Sequence, residues 1–151
     1  MTLLFETPSR SIPITKQMVW DAYRKVKSNK GSAGVDEETL IDFDVNLSKN
    51  LYKLWNRLSS GSYFPQPVKA VEIPKGNGGT RTLGIPTIAD RIAQEVVKSY
   101  IEPRLEAVFV PSSYGYRPHK SAHDAIEQVR TNVRNYGGVI DMDIKSFFDE
   151  V

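Results

Sequence analysis

Apolar positions recur at helical spacing along four stretches of the chain and alternate with polar ones along others. Over residues 15–28, Met18, Ala22 and Val26 lie four apart, which predicts a helix ended by Asn29, Lys30 and Gly31. After the turn-rich run NKGSAGVD, Thr39 with Asp42 has the form of a capping box. Leu47, Leu51, Leu54, Trp55 and Leu58 then keep helical spacing up to Ser59, Ser60 and Gly61. Such a stripe is core by default, so no other role is assigned to it. Pro65 and Pro67 bound VKAVEI, and TRTLGI follows PKGNGG, so residues 68–85 read as a β-hairpin with a glycine-rich tip. Thr87 with Asp90 opens a long helix bearing Ile88, Ile92, Val96 and Ile101, which Pro103 is expected to kink or divide before Leu105, Val108 and Phe109. Past the loop VPSSYGYRPHK, Ser121 with Asp124 caps a helix expected to bury Ala122, Ala125, Ile126, Val129 and Val133, and Tyr136, Gly137 and Gly138 end it. Finally, Ile140, Met142 and Ile144 alternate with Val139, Asp141 and Asp143, a short strand with both aspartates on one face. A lone strand is not a finished fold, so the sequence is expected to be part of a longer chain.

The chain has 151 residues, 40% of them hydrophobic and 25% charged, an ordinary balance for one folded domain. It contains no cysteine, which excludes thiol catalysis, disulfides and cysteine zinc sites, and fits a reducing cytoplasm. No apolar run approaches the roughly 18 residues that cross a bilayer, so no membrane partner is expected. A net charge of +2 says little, but its distribution says more. Residues 49–104 carry nine Lys/Arg against four Asp/Glu, whereas residues 1–48 carry six against seven and 105–151 five against seven. A basic middle can follow a phosphate backbone, although a charge run is also an ordinary solvated face.

Three local patterns carry candidate chemistry. Asp143 sits on the short apolar strand and Phe148 follows five residues later. Carboxylate oxygens suit hard Mg²⁺ ions, which in pairs stabilise the attacking and leaving oxygens of phosphoryl transfer. One aspartate cannot hold two ions, and Asp141 and Asp143 equally describe the wet face of an edge strand. In the tip KGNGGTR, glycines admit close approach while Lys75 and Arg81 supply a point charge and a planar fork for a triphosphate. A solvated turn with two basic neighbours has the same pattern. In SSYGYRPHK, Tyr114, Tyr116, Arg117, His119 and Lys120 interleave stacking surfaces with positive charge, which suits a single nucleic-acid strand. Tyrosines packed inward from a surface loop are the other reading, and His119 and His123 lack the carboxylate partner of a usual zinc site.

Taken together, the blocks GSAGVDEETL, LYKLWNRLSSGSYFPQPVKAVEIPKGNGGTRTLGIPTIADRIAQEVV, PSSYGYRPHKSAHDAIEQVR and DMDIKSFFDEV resemble the group II intron reverse transcriptases in order and spacing. The resemblance runs from about Gly31 to Val151. It implies an α+β fold: right-hand polymerase fingers, mostly helical with a β-hairpin, plus the first palm strand. By the same resemblance, residues 1–48 form an N-terminal extension, 49–138 the fingers and 139–151 the start of the palm. Asp143 matches the first metal-binding aspartate, with the Ile144 carbonyl as a further Mg²⁺ ligand, and Phe148 the aromatic that selects deoxynucleotides. Lys75 and Arg81 match triphosphate contacts, and Arg117 lies in a block near nucleotide and template. The loop 29–36, with Lys30, Gly31 and Ser32, resembles a segment that holds RNA, to which Arg91, Tyr116 and Lys120 are added.

The implied partners are intron and template RNA, a DNA primer and a deoxynucleoside triphosphate. A homodimer through uncovered palm-facing surface is a further expectation. The second palm motif, an aromatic-Ala-Asp-Asp turn, does not occur in this sequence, so these residues are expected to bind RNA or nucleotide without polymerising. A non-catalytic splicing cofactor and a reverse transcriptase of another bacterial system, such as a CRISPR-linked one, are the alternatives.

Overall fold

The computed structural model describes residues 13–76, 78–136, 138–144 and 147. Asn77 of the hairpin tip, Gly137 and Phe148 lie outside the described residues. Two compact units divide the chain, Met1–Leu105 and Glu106–Val151.

In the first unit, α1 (Lys16–Ser28) begins at Thr15, whose side chain accepts the Met18 N–H at 3.2 Å, one of the orphan donors of a helix start. Val19, Ala22, Tyr23 and Val26 form its buried stripe. The capping box of Thr39 and Asp42 is present and opens α2 (Leu40–Val45), with Phe43 buried. The amphipathic run after it is not one helix. Asn46, at φ −119° and ψ 35°, separates α2 from α3 (Leu47–Ser59), and the Asn50 side chain donates to the Phe43 carbonyl at 2.9 Å, replacing a backbone partner lost at the break. Leu54 is buried, while Leu47, Leu51, Trp55 and Leu58 pack against the core from its edge.

The hairpin pairs β1 (Lys69–Pro74) with β2 (Thr80–Ile85), antiparallel, with Ile73 opposite Arg81 and Pro74 opposite Thr80. Lys75 N–H donates to the Gly79 carbonyl at 2.6 Å and Gly78 N–H to the Lys75 carbonyl at 3.1 Å, closing a turn in which Gly78 takes φ +86°.

Helix α4 (Ile88–Glu106) supplies the centre of the core, with Ile88 and Ile92 fully enclosed and Ala93 and Val96 beside them. Thr87 accepts the Asp90 N–H at 3.1 Å. The Asp90 carboxylate is itself buried, and it accepts from Thr87 at 2.7 Å, from the Tyr63 hydroxyl at 2.5 Å and from Gln66 N–H at 3.3 Å. A buried carboxylate is tolerated because its lone pairs are used, here to fasten the entry to the hairpin onto the start of α4. Burial, and then the hydrogen bond to Asp90, push the Tyr63 hydroxyl pKa up. Pro103 does not divide this helix. It falls in the last turn, where its missing N–H costs a single bond before the helix ends.

The second unit carries α5 (Ala122–Asn135), opened by the capping box of Ser121 and Asp124. The expected burial of its stripe is not found: no α5 residue is buried, and Ile126, Val129 and Val133 are about half exposed. The pattern marks an apolar side of a helix, and burial needs a second surface against that side. Residues 138–144 join no ladder, and the described sheet is the two-stranded hairpin alone. The alternating Ile140, Met142 and Ile144 are exposed, because a strand is defined by its pairing as much as by its pattern.

Candidate functional site

The loop 29–36 is held against the start of α4. Arg91, half-buried, donates from Nε to the Pro86 carbonyl at 3.2 Å and from Nη2 to the Ser32 carbonyl. Gly31 leaves the space its guanidinium occupies, and a Cβ on Gly34 would stand 2.7 Å from the Thr87 backbone. Lys30 turns the chain with φ 48° and is exposed. Gly31, Ser32 and Arg91 are therefore brought together, with Arg91 serving as the clasp that shapes the loop.

On the hairpin, strand alternation puts Lys69, Val71 and Ile73 on one face with their partners Ile85, Leu83 and Arg81. Lys75, one residue beyond the ladder and bonded to Gly79, continues onto the same face, diagonal to Arg81. Both side chains are exposed and make no hydrogen bond or ion pair among the described residues. Two cations without carboxylate partners among the described residues, on one face of a glycine-rich turn, have the charge and backbone access that an anion requires.

In the second unit, Arg117 is occupied. Its Nε donates to the Glu106 carboxylate at 3.0 and 3.1 Å, Nη2 to Glu106, and Nη1 to the carbonyls of Val110 at 2.7 Å and Ser113 at 2.9 Å, with the Phe109 ring 5.2 Å away. These hydrogen bonds from Arg117 hold the Glu106 carboxyl below its usual range and raise the guanidinium in turn. Lys120 donates to the Pro111 carbonyl and lies 4.5 Å from the Tyr114 ring centroid. Tyr116 projects, wholly exposed at φ 55°, and His119 is exposed too and left-handed at φ 60°. Inward packing thus describes Tyr114, half-buried under Lys120, and outward presentation describes Tyr116.

Asp143 and Ile144 are described and exposed. A carboxylate and a backbone carbonyl are the oxygen donors Mg²⁺ takes, yet no group of three or more His, Asp or Glu among the described residues could hold an ion. The donors fit the metal in kind and fall short of it in number.

The chain belongs to the family described as reverse transcriptase (RNA-dependent DNA polymerase), whose model matches residues 73–151. Protein YkfC of Escherichia coli (strain K12) is 38% identical across 94% of the chain and 40% of its own length. Group II intron-encoded protein LtrA of Lactococcus lactis subsp. cremoris is 36% identical across 86% of the chain and 22% of its own length. The putative COX1/OXI3 intron 1 protein of Saccharomyces cerevisiae is 32% identical across 93% of the chain and 17% of its own length. The chain thus spans 17% to 40% of these relatives. The reverse-transcriptase family match, together with similarity to a group II intron-encoded protein over most of the chain, bears out the resemblance read from its blocks. Among the described residues, no helix is long and apolar enough to cross a membrane.

Sequence reasoning missed Glu106, the partner that engages Arg117 from eleven residues away, and Gly34, whose lack of a side chain admits Thr87. It also passed over the outer flank of α1 and α3, where Trp20 and Tyr52 stay exposed. The spacing of Trp20 from Lys16 and Arg24, four residues each way, was the available signal.

Proposed function

We propose that this chain is the RNA-binding N-terminal part of an RNA-directed DNA polymerase that also assists splicing of its parent intron. The observation that carries the reading is the hairpin, with Lys75 and Arg81 on one face of a glycine-tipped turn and free of carboxylate partners among the described residues. In the whole enzyme this pair contacts the triphosphate of an incoming deoxynucleotide and neutralises charge on the leaving group. Asp143 and the Ile144 carbonyl contribute oxygen ligands to Mg²⁺, and Phe148 guards the sugar 2′ position. The loop at Lys30, Gly31 and Ser32, clasped by Arg91, faces RNA. Tyr116 offers a stacking surface to template, on a loop that Arg117 and Lys120 hold in shape. The piece described here binds RNA without polymerising, and its partners in the complete protein are intron RNA, template RNA and a DNA primer. A homodimer and a cytoplasmic location complete the reading.

The test is binding of the chain to group II intron RNA and to an unrelated RNA of equal length over a salt series. Salt-sensitive binding that favours the intron is expected. Equal affinity for both RNAs at every salt concentration would remove the splicing half of the reading.

A further inference from the structure

Between α1 and α3 lies a groove of about 350 Å³, lined by Lys16, Val19, Trp20, Leu51, Tyr52 and Trp55 among others. Its volume falls within the roughly 300–1,000 Å³ of small-ligand sites. Two of the large aromatics are open to solvent, Trp20 at 41% and Tyr52 at 55%. Trp55 is fixed from behind by its indole N–H, which donates to the Ile14 carbonyl at 2.9 Å, and its ring lies 5.7 Å from that of Tyr52. Lys16 places its ammonium 4.7 Å from the Trp55 centroid and 5.4 Å from that of Tyr52.

The charge around the groove says what would fill it. Helices α1 and α3 together carry seven Lys/Arg and one Asp. Lys25 and Lys27 are paired, with Glu95 and Asp44, while Lys16 on the groove wall and Arg24 and Lys49 elsewhere on the two helices form no ion pair among the described residues. Lys53 and Arg57 line a separate pocket with Asp36 and Glu38. The near-neutral total for residues 1–48 hid the α1 share of this excess, because the acidic residues of that segment lie largely between the two helices. Exposed aromatic faces bordered by uncompensated cations suit an unstacked base whose flanking phosphates meet the cations. An apolar peptide would use the rings and leave Lys16, Arg24 and Lys49 idle.

We infer that the α1–α3 groove is a binding site for an unpaired nucleobase of single-stranded RNA, distinct from the hairpin and from the loop 29–36. The inference rests on the reading of the chain as RNA-binding and adds a contact to it. Trp20 and Tyr52 supply the stacking faces, and Lys16, Arg24 and Lys49 hold the flanking phosphates.

The chain's two tryptophans, Trp20 and Trp55, both line the groove, so intrinsic tryptophan emission reports on it alone. The experiment titrates the chain with a labelled single-stranded oligoribonucleotide and with a duplex of the same sequence, reading label anisotropy and tryptophan emission together. The single strand is expected to quench emission as it binds, and the duplex to quench far less. Tyr52→Ala should weaken single-strand binding about tenfold and Tyr52→Phe should restore it, whereas Lys75→Ala should leave the quench in place. Tyr52 is exposed, and circular dichroism of the variant checks the fold. Binding seen by anisotropy with unchanged emission, and with no effect of Tyr52→Ala, would overturn the groove and leave RNA binding standing. Equal quenching by duplex would overturn the unpaired-base assignment, and quenching by an acidic peptide but not by RNA would transfer the groove to a protein partner. Absence of RNA binding at low salt would overturn both readings.

Discussion

Both units carry helices, but they keep them in different ways. In the first, α1, α2, α3 and α4 each turn at least one side chain into a shared core, and Ile88, Ile92, Val19 and Val96 are almost wholly removed from water. In the second, α5 has an equally regular apolar stripe and buries none of it. Its helix rests on local terms, the Ser121–Asp124 capping box above all, and the loop before it rests on Arg117 gripping Glu106 and two carbonyls. An isolated helix of this length is marginal in water, so local terms weigh more in the second unit than in the first. An apolar stripe therefore states what a helix can do, and only the neighbouring surface decides whether it is done.

That asymmetry is open to attack by substitution. Ile92→Ala is expected to lower stability by about 2–5 kcal/mol in urea unfolding, whereas Val129→Ala in α5 should stay within about 0.5 kcal/mol. Comparable losses at the two sites would erase the contrast. Gly34→Ala comes next, at about 1–3 kcal/mol, because its new methyl meets the Thr87 backbone at 2.7 Å. Gly31→Ala should cost less, since there the nearest atoms end the flexible Arg91 side chain, and the same unfolding experiment ranks the pair. Ser121→Ala should cost about 1 kcal/mol and speed amide exchange through α5 while leaving α1 and α4 protected.

Acid supplies a subtler comparison. Asp44 is held below its usual range by hydrogen bonds from Lys27 and then Tyr23, and Glu106 by those from Arg117. Each folded pKa is depressed, so each pair contributes fully above the ordinary carboxylate range and loses its contribution as pH falls through the folded value. Asp44→Asn should flatten the acid limb of first-unit stability, and Glu106→Gln that of loop 107–120, as read by amide exchange from neutral pH downward. An acid limb unchanged in both variants would show that neither pair is linked to folding.

Much of this was legible in the sequence because its causes are local. The three Ser/Thr-x-x-Asp starts at Thr39, Thr87 and Ser121 all cap helices, since a cap needs partners only three residues away. The hairpin was legible from alternation broken by glycines. Asn46 was not, because a break inside an unbroken apolar rhythm depends on which carbonyl the Asn50 side chain reaches. Nor were the partners of the candidate cations. Arg91 reaches Ser32 across fifty-nine residues, and Arg117 turns inward to Glu106, so two residues read as ligand contacts are shown shaping loops, while Lys75 and Arg81 remain open to a ligand.

The most direct measurement is the salt dependence of RNA binding by the intact chain and by the Lys75→Ala/Arg81→Ala variant. Removing two phosphate contacts should weaken binding and reduce the slope of log affinity against log salt by about 2, with the circular dichroism spectrum unchanged. An unaltered slope and affinity in the double variant would contradict the reading of the hairpin as an RNA contact of this chain.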